Sequence, residues 1–438
     1  MKQLELTFEK LRYHGFWLKD RLQGSKIRQH LDDITQLLEN GETSEAKTKR
    51  EAYLRSLLDH AKRSTPFYQT LAQEATLKDF PVINKHIIQK HMEDFQSTEW
   101  LDKKTKIATT SGSTGTILKV RQNQNKINRN TADTLYFSAK AGFKMGYQLL
   151  YLRHWNAYYK KSRILCWLQN IKPIEVLKLN HSEIQNLLEH IQQDPSHKSW
   201  LGYASGFESI CKSLDTLQFK PIQGNIKSII AISEGLHENT KKRMAYYFNA
   251  PVVSRYSNME NGIIAQQEPY NTPEFTINWA SYHLEILHWE ENIPVPSGTL
   301  GRIVVTDLFN YSMPLIRYDT GDIGAIDFEV SPPVLKQVEG RKNDVIFNTN
   351  GEPISSFIMI NNYLYEGIKQ SQLVQEGKKD YVLKLQVSDN FHQEQDLIIL
   401  YHAFLGKDAN IKIQYVDELP LLSSGKRKTT INNDLKRF

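Results

Sequence analysis

The sequence has few cysteines, no long apolar run and little net charge. Its only cysteines are Cys166 and Cys211, which excludes a disulfide framework and a cysteine-rich zinc site. No window approaches the roughly 20 apolar residues that a membrane-spanning helix needs, and MKQLELTFEKLRYHGFWLKD lacks the apolar core of a signal peptide. We therefore expect a cytoplasmic protein without stable membrane insertion.

The charge balance excludes one broad class of function. The chain has 55 Lys and Arg against 49 Asp and Glu among its 438 residues, a net charge of +6. No basic block, zinc finger or RNA-binding signature accompanies this mild excess, so we expect no nucleic-acid partner. A small positive surplus suits anionic substrates such as nucleotides, and the length favours two domains.

Hydrophobic periodicity divides the first part of the chain into regions. Residues 1–64 are predicted to form a helical leader that ends before Pro66. Its early stretch LRYHGFWLKDRL is aromatic and basic; it could lie on a membrane surface or bind a partner, although packing on the large domain is the favoured interpretation. Further on, IKSIIAIS, ENTKKRMAYYFN and PVVSRY predict strand, helix and strand, which is typical of a largely parallel α/β sheet.

The second part of the chain changes character. LGRIVVTDLF and IGAIDFEV indicate a more antiparallel, β-rich lobe, and after EGRKND the order becomes β-α-β-β-α-β, with a hairpin turn at Asn350 and Gly351. We predict an α/β fold with a large multilayer α/β N-terminal domain over residues 1–342, including the β-rich lobe, and a small α+β C-terminal domain over residues 343–438.

A glycine-rich stretch, ATTSGSTGTILKVR at 108–121, indicates a phosphate site. It lacks the G-x-x-x-x-G-K-[ST] of a Walker loop and the G-x-G-x-x-G that opens a dinucleotide-binding helix, which disfavours kinases and motor ATPases of those classes. Glycines still allow backbone N–H groups to converge on an anion, and hydroxyl groups add donors. The alternative interpretation is a flexible polar surface loop.

Five stretches, in one order and spacing, carry a resemblance to a known superfamily. They are TTSGSTG, YSNMEN (256–261), IRYDTGDIG (316–324), EGRKNDVI (339–346) and LPLLSSGKRK (419–428). Together they resemble the acyl-adenylate-forming (AMP-binding) enzymes, and the chain is most similar to the phenylacetate–coenzyme A ligase branch, which includes relatives from capsular-polysaccharide gene clusters. The resemblance implies that the C-terminal domain is a mobile lid.

The resemblance assigns most of these motifs to ATP and Mg²⁺. The glycine-rich loop would hold the β- and γ-phosphates, through Thr110, Ser111, Gly112, Ser113, Thr114 and Gly115. Tyr256 would stack on adenine, and Glu260 would help to hold Mg²⁺, a cation that prefers carboxylate and phosphate oxygens. Asp322 would accept hydrogen bonds from the ribose hydroxyls, and Arg341 would reach the ribose or a phosphate.

Two further residues belong to the implied moving parts. Lys426 corresponds to the lysine that swings in to contact the attacking carboxylate and the α-phosphate, so Lys426 and Glu260 are the predicted catalytic residues. Asn343 falls at the hinge about which the lid would pivot. Structural alternatives are a solvated basic tail at Lys426 and an interdomain salt bridge at Arg341.

The residues that line the acyl pocket are harder to predict from the sequence than those that bind ATP. Resemblance places the pocket near YASGFES (203–209), ISEGL (232–236) and the end of the YSNM strand, with Tyr203, Ser233 and Asn258 as candidate lining residues. In the RYDTGD motif, Arg317 and Asp319 could equally form a local structural ion pair.

The implied reaction has two halves. ATP-dependent activation of a small-molecule carboxylic acid gives acyl-AMP and pyrophosphate, and the thiol of coenzyme A or of a carrier protein's pantetheine then takes the acyl group. One alternative transfers the acyl group to an amine in polysaccharide or natural-product biosynthesis, and another is a non-catalytic nucleotide-binding scaffold. The expected cofactors are ATP and Mg²⁺, with coenzyme A or pantetheine as co-substrate.

Overall fold

The computed structural model of the protein describes residues 2–109, 118–155, 160–270, 273–341, 345–354, 365–420 and 428–434. Its α-helices are α1 (Lys2–Leu22), α2 (Lys26–Glu39), α3 (Ser44–Ser64), α4 (Lys85–Lys90), α5 (Gln124–Lys140), α6 (Arg163–Leu168), α7 (His181–Gln193), α8 (Ala204–Thr216), α9 (Glu238–Phe248) and α10 (Glu394–Leu405). Short 3₁₀ helices span Pro66–Tyr68, Leu77–Asp79, Thr98–Trp100 and Val176–Lys178.

The strands follow the same chain order. They are β1 (Lys106–Thr109), β2 (Lys119–Gln122), β3 (Gln148–Arg153), β4 (Ile171–Glu175), β5 (Lys198–Tyr203), β6 (Ile226–Ile232), β7 (Val252–Asn258), β8 (Gly262–Gln267), β9 (Phe275–Ile277), β10 (Tyr282–Leu287), β11 (Gly301–Asp307), β12 (Tyr318–Asp327), β13 (Val334–Arg341), β14 (Ile346–Phe347), β15 (Pro353–Ile354), β16 (Ile368–Gln375), β17 (Asp380–Val387), β18 (Asn410–Tyr415) and β19 (Thr430–Asn432).

The leader is helical, as its periodicity predicts. The hydroxyl of Thr43 accepts a hydrogen bond from the backbone N–H of Ala46 and caps α3. The apolar face of α2 packs against α5, with Ile34 and Leu37 in one buried cluster with Phe137. The leader is therefore attached to a helix that itself lies against the large sheet.

The largest sheet in the described part of the chain has eleven strands, in the order β10-β11-β12-β13-β9-β8-β7-β6-β5-β3-β4. From β4 to β7 neighbouring strands are parallel. From β7 to β10 every pairing is antiparallel. The predicted parallel sheet and the predicted β-rich lobe are thus two halves of one continuous sheet, and the predicted fold class is confirmed.

The parallel half has the connections that its sequence predicts. Strand β6, helix α9 and strand β7 follow one another, and β6 and β7 are parallel neighbours. The buried side chains of Trp200 and Ile229 pack against Phe207 of α8 and Met244 of α9. Full burial of such side chains stabilises a fold by roughly 1.5–3 kcal/mol each, so this layer fixes the strand ends that carry the candidate site.

The C-terminal residues form a second, smaller sheet. In the described residues its strand order is β18-β17-β16-β19, and α10 covers it with Leu397 and Tyr401 packed on Leu373 and Leu383. The predicted turn at Asn350 and Gly351 joins β14 to β15. The helix predicted ahead of residue 366 falls mainly on residues 355–364, outside the described ranges. The boundary between the two domains remains a prediction.

Candidate active site

The carboxyl ends of three neighbouring parallel strands define one edge of the large sheet. Strand β5 ends at Tyr203, β6 ends at Ile232 immediately before Ser233, and β7 ends at Asn258. Ligands of open α/β sheets bind outside the carboxyl ends of the strands. The structure therefore brings the predicted acyl-pocket residues Tyr203, Ser233 and Asn258 to the edge where a ligand is expected.

Two predicted ATP-binding residues meet at this edge. The hydroxyl of Tyr256 donates a hydrogen bond of 2.9 Å to Oδ2 of Asp322 and lies 3.2 Å from Oγ1 of Thr320. The backbone N–H of Asp322 donates to the same Thr320 hydroxyl at 3.1 Å. The Tyr256 phenol thus orients the Asp322 carboxylate, while the Thr320 hydroxyl holds the Asp322 backbone.

The contact between Tyr256 and Asp322 requires a strongly curled sheet. Strands β8, β9 and β13 separate β7 from β12 in the strand order. Strands lie about 4.8 Å apart, so four such steps amount to about 19 Å in a flat sheet. That distance is far beyond the reach of one tyrosine side chain. The antiparallel half therefore folds back over the end of β7, and this encloses the site.

Glu260 lies just beyond β7 and is held from two sides. The hydroxyl of buried Tyr318, the first residue of β12, donates to Oε1 of Glu260 at 3.1 Å. The side-chain amide of Gln122, the last residue of β2, donates to the Glu260 carbonyl at 3.1 Å. The residue is only 8% exposed. Its carboxylate is thus oriented by β12, and its backbone by the strand that follows the glycine-rich loop.

The remaining predicted residues divide into two groups. Arg341 is the last residue of β13, and its backbone lies directly opposite Asp322 in the antiparallel pair of β12 and β13. The other group lies outside the described residues: Thr110, Ser111, Gly112, Ser113, Thr114, Gly115, Asn343 and Lys426. The antiparallel strands β1 and β2 flank the glycine-rich loop, with Thr109 opposite Lys119.

The suggested ion pair between Arg317 and Asp319 is wrong. The Arg317 guanidinium donates to both carboxylate oxygens of Glu285 on β10, at 3.0 Å each. Asp319 instead accepts from Arg302 on β11 at 2.7 Å. Each side chain reaches a charged partner on another strand of the curled sheet, so both residues brace the strand that carries Asp322.

A buried polar layer lies beneath Glu260. The Tyr282 hydroxyl donates to the carbonyl of Asn261 at 2.6 Å. Lys126 of α5 contacts that hydroxyl at 3.1 Å and the carboxylate of Asp307 at 2.7 Å. Both members of this ion pair are fully buried, and buried charges are tolerated when they are paired and hydrogen-bonded. This layer supports the turn from β7 to β8 from below.

Comparisons with known proteins agree with this architecture. Residues 346–433 match the family model of the CapK C-terminal domain. Protein CapK from Staphylococcus aureus is 22% identical over 444 residues, which cover 93% of each chain. The crystal structure of 2-hydroxyisobutyryl-CoA ligase in the postadenylation state, in complex with 2-HIB-AMP, aligns with a TM-score of 0.71 at 15% identity and covers 89% of this chain and 90% of that chain.

The fold is that of the acyl-adenylate-forming ligases. The crystal structure of ATP-bound MatB from Rhodopseudomonas palustris has the same fold, with a TM-score of 0.55 at 16% identity over 74% of this chain and 66% of that chain. The resemblance seen in the sequence motifs is therefore confirmed, and Protein CapK and the CapK C-terminal domain support the capsular relative.

Three residues that were not predicted from the sequence form hydrogen bonds with predicted site residues. They are Tyr318, Thr320 and Gln122. Tyr318 and Thr320 lie inside the motif IRYDTGDIG. The motif therefore indicated this part of the chain, but not the contacts that the two side chains make. Gln122 had no such signal, because nothing in its local sequence indicates a bond to a residue 138 positions away.

Proposed function

We propose that the protein activates a carboxylic acid as acyl-AMP with ATP, releases pyrophosphate and then passes the acyl group to a thiol. The observation that carries this proposal is that β12 contacts both Tyr256 near the end of β7, through Asp322, and Glu260 just beyond β7, through Tyr318. The first half-reaction requires an adenosine site and a metal-binding carboxylate held in fixed positions.

We assign the nucleotide contacts as follows. The Tyr256 ring stacks on adenine, the Asp322 carboxylate accepts from the ribose hydroxyls, and Arg341 reaches the ribose or a phosphate. Residues 110–115 hold the β- and γ-phosphates through backbone N–H groups and hydroxyls. Tyr203, Ser233 and Asn258 line the acid's pocket at the same sheet edge.

The Glu260 carboxylate suits Mg²⁺ by its chemistry. It is an oxygen ligand fixed by the Tyr318 hydroxyl at Oε1, and Mg²⁺ is commonly bound by one or two carboxylates together with substrate phosphates and water. The described residues contain no cluster of three or more His, Cys, Asp or Glu, and a metal shared with a nucleotide needs none. Bound Mg²⁺ would offset the charge of the phosphates.

The reacting carboxylate oxygen forms a bond to the α-phosphorus while the bond from that phosphorus to the pyrophosphate oxygen breaks. Lys426 contacts the carboxylate and the α-phosphate, where charge is concentrated in the transition state. Rotation of the lid about Asn343 then removes Lys426 and admits the acceptor. The acceptor atom gives up its proton and bonds to the acyl carbon while the bond from that carbon to the phosphate oxygen breaks and AMP leaves. The acceptor is the thiol of coenzyme A or of carrier-protein pantetheine, and an amine is the second candidate. The expected compartment is the cytoplasm.

The test is pyrophosphate release from ATP and Mg²⁺ across a panel of aryl, fatty, hydroxy and amino acids without acceptor. We expect acid-dependent release that Lys426→Ala abolishes and that the matched neighbour Lys428→Ala retains. Asp322→Asn should lower kcat/KM for ATP by about 10–100-fold, because it weakens hydrogen bonds to a charged group. Intact ATP binding with no release for any acid, amine or thiol pair would favour the non-catalytic scaffold.

A further inference from the structure

Helix α1 carries an exposed apolar stripe. Phe8, Leu11, Leu18 and Leu22 are 37%, 59%, 59% and 80% exposed. With Gly15 they recur at steps of three and four residues, which places them on one helical face. An amphipathic helix of a folded protein normally turns such a face to the core, so this stripe needs an explanation.

The stripe does not result from a loosely attached helix. The buried Glu9 side chain accepts from the backbone N–H of His197 at 2.7 Å and lies 2.9 Å from that imidazole. The Asp20 carboxylate accepts from the first N–H groups of α2, at Ile27 and Arg28. The Arg28 guanidinium lies 3.7 Å from the centre of the Trp17 ring. The side of α1 that carries Glu9, Trp17 and Asp20 is therefore the docked side.

Helix α6 extends the same surface. Ile164, Trp167 and Leu168 are 73%, 62% and 56% exposed. The Arg12 guanidinium lies 5.9 Å from the centre of the Phe8 ring and 5.6 Å from that of Trp167, and so joins the two helices. We call the exposed side chains of residues 8–22 and 160–168 the α1–α6 surface. Exposed apolar side chains on two helices that are joined in this way are typical of an interaction site.

The exposed charges of these two segments have one sign. Their basic residues are Lys10, Arg12, Lys19, Arg21, Lys160, Lys161 and Arg163. The acids in these two segments are Glu9 and Asp20, which are only 7% and 3% exposed and point into the protein. The complement of the α1–α6 surface is therefore both apolar and anionic. A second copy of the chain would oppose like charges across the contact.

We propose that the α1–α6 surface binds reversibly to a membrane surface that contains anionic lipids. Apolar side chains that flank basic ones lie at the boundary of acyl chains and headgroups, and each Lys or Arg adds attraction to acidic lipids. No helix in the described ranges is long and apolar enough to cross a bilayer, so the contact is with the surface. This proposal does not depend on the proposed reaction.

The test is co-sedimentation of the full chain with phosphatidylcholine vesicles, with and without about 30 mol% phosphatidylglycerol. We expect binding to the anionic vesicles, and weaker binding as salt rises because the Debye length shrinks. Lys19→Glu/Arg21→Glu should lower the partition coefficient at least about tenfold. The control Lys369→Glu/Lys412→Glu changes the same net charge in the C-terminal sheet and should bind like the natural protein.

A second pair of variants tests the apolar contribution. Leu18→Ser/Ile164→Ser should weaken binding about fivefold or more. Leu101→Ser/Ile399→Ser replaces side chains that are 50% and 66% exposed elsewhere, and should not weaken it. Equal melting temperatures of all variants would show that the fold is retained.

Cys166 supplies an independent readout, because it lies within α6. Burial raises the pKa of the Cys211 thiol to about 12, so a maleimide fluorophore at neutral pH should attach to Cys166. Its emission should shift to the blue with anionic vesicles. No binding, equal binding to neutral vesicles, or unchanged binding by both surface variants would overturn the proposal. A concentration-dependent dimer broken by Leu18→Ser/Ile164→Ser, without vesicle binding, would assign the surface to self-association instead.

Discussion

The Tyr256 hydroxyl donates a 2.9 Å hydrogen bond to the carboxylate of Asp322, although three strands separate their own strands in the described sheet. The bond connects a residue that is predicted to stack on adenine with one that is predicted to hold the ribose. A tyrosine in this position can therefore orient the carboxylate as well as cover the base. Replacement of Tyr256 by phenylalanine keeps the ring and removes the hydroxyl. It therefore separates stacking on the base from orientation of the Asp322 carboxylate.

Tyr256→Phe should raise KM for ATP about three- to tenfold and leave kcat nearly unchanged. The hydroxyl acts on the nucleotide only through Asp322, so KM should reflect only part of the roughly 1.5–3 kcal/mol that a hydrogen bond to a charged group contributes. The measurement is pyrophosphate release as a function of ATP. Tyr246→Phe, on a ring that is 59% exposed on α9, is the control. An unchanged KM in Tyr256→Phe, together with a large loss in Tyr256→Ala, would restrict the role to stacking.

Tyr318→Phe should weaken the response to Mg²⁺. The Tyr318 hydroxyl fixes Oε1 of Glu260 at 3.1 Å, and partners that orient a metal ligand typically affect metal affinity by about 10–100-fold when removed. The Mg²⁺ concentration for half-maximal activity should therefore rise by about tenfold.

A matched control exists within the same buried cluster. Tyr68 packs in the same core as Tyr318, but its hydroxyl points to the Pro314 carbonyl at 3.4 Å. Tyr68→Phe should leave the Mg²⁺ dependence unchanged. A similar shift in both variants would mean that core packing, not orientation of Glu260, is responsible.

Short motifs in the sequence singled out Tyr256, Glu260 and Asp322 but not their contacts. The structure places Tyr256 against Asp322 and Tyr318 against Glu260, and the roles of these residues in binding ATP and Mg²⁺ stay predictions. The curl of the antiparallel half could not be predicted, because strand patterns report which residues face a core and not which strands become neighbours. That curl is what brings Tyr318 to Glu260 and sends Arg317 to Glu285 instead of Asp319.

The polar face of α5 illustrates the same limit. Lys126, Arg129 and Asp133 recur at steps of three and four residues, which a sequence pattern assigns to the solvent side of a helix. All three are fully buried. Their partners are distant in sequence, such as Asp307 at the end of β11 for Lys126 and Ser281 in the turn before β10 for Arg129. No local signal therefore marks the face as internal.

Lys126→Met should destabilise the protein by about 3–5 kcal/mol, because it leaves the buried carboxylate of Asp307 without its cation. Burial by itself raises the pKa of that carboxyl, and Lys126 opposes the shift. Chemical denaturation of the two proteins at neutral pH measures the difference. The same helix offers a control in Lys140→Met, which breaks an exposed pair with Glu39 at 3.1 Å and should cost at most about 1 kcal/mol.

A double variant distinguishes charge burial from packing at this pair. Lys126→Met/Asp307→Leu removes both charges and should recover much of the lost stability, since apolar pairs can replace buried ion pairs at little cost. If the double variant is as unstable as the sum of the two single ones, the ion pair is not the source of the effect.

Stability should fall as the pH drops through about 6.5, in part because of His60. This imidazole is 5% exposed and lies 2.8 Å from the Tyr311 carbonyl. Burial is the main cause that lowers the pKa of His60, with smaller contributions from nearby Arg63 and Lys103, while the Tyr311 carbonyl and Glu99 oppose it. The unfolded chain then takes up the proton first, at the ordinary pKa of about 6.5. The contribution to stability is complete above that pH and declines below it.

Melting temperature measured between about pH 7.5 and 5 tests this sign. His60→Gln keeps a donor for the Tyr311 carbonyl and removes the titration, so its melting temperature should fall less steeply towards low pH than that of the natural protein. Glu99→Gln should act in the opposite direction, because the Glu99 carboxylate lies 3.7 Å from Nδ1 and favours the charged ring. Without it the pKa of His60 drops further, and the loss of stability at low pH becomes larger. Superimposable pH profiles for all three proteins would show that His60 is not one of the groups that couple folding to protonation.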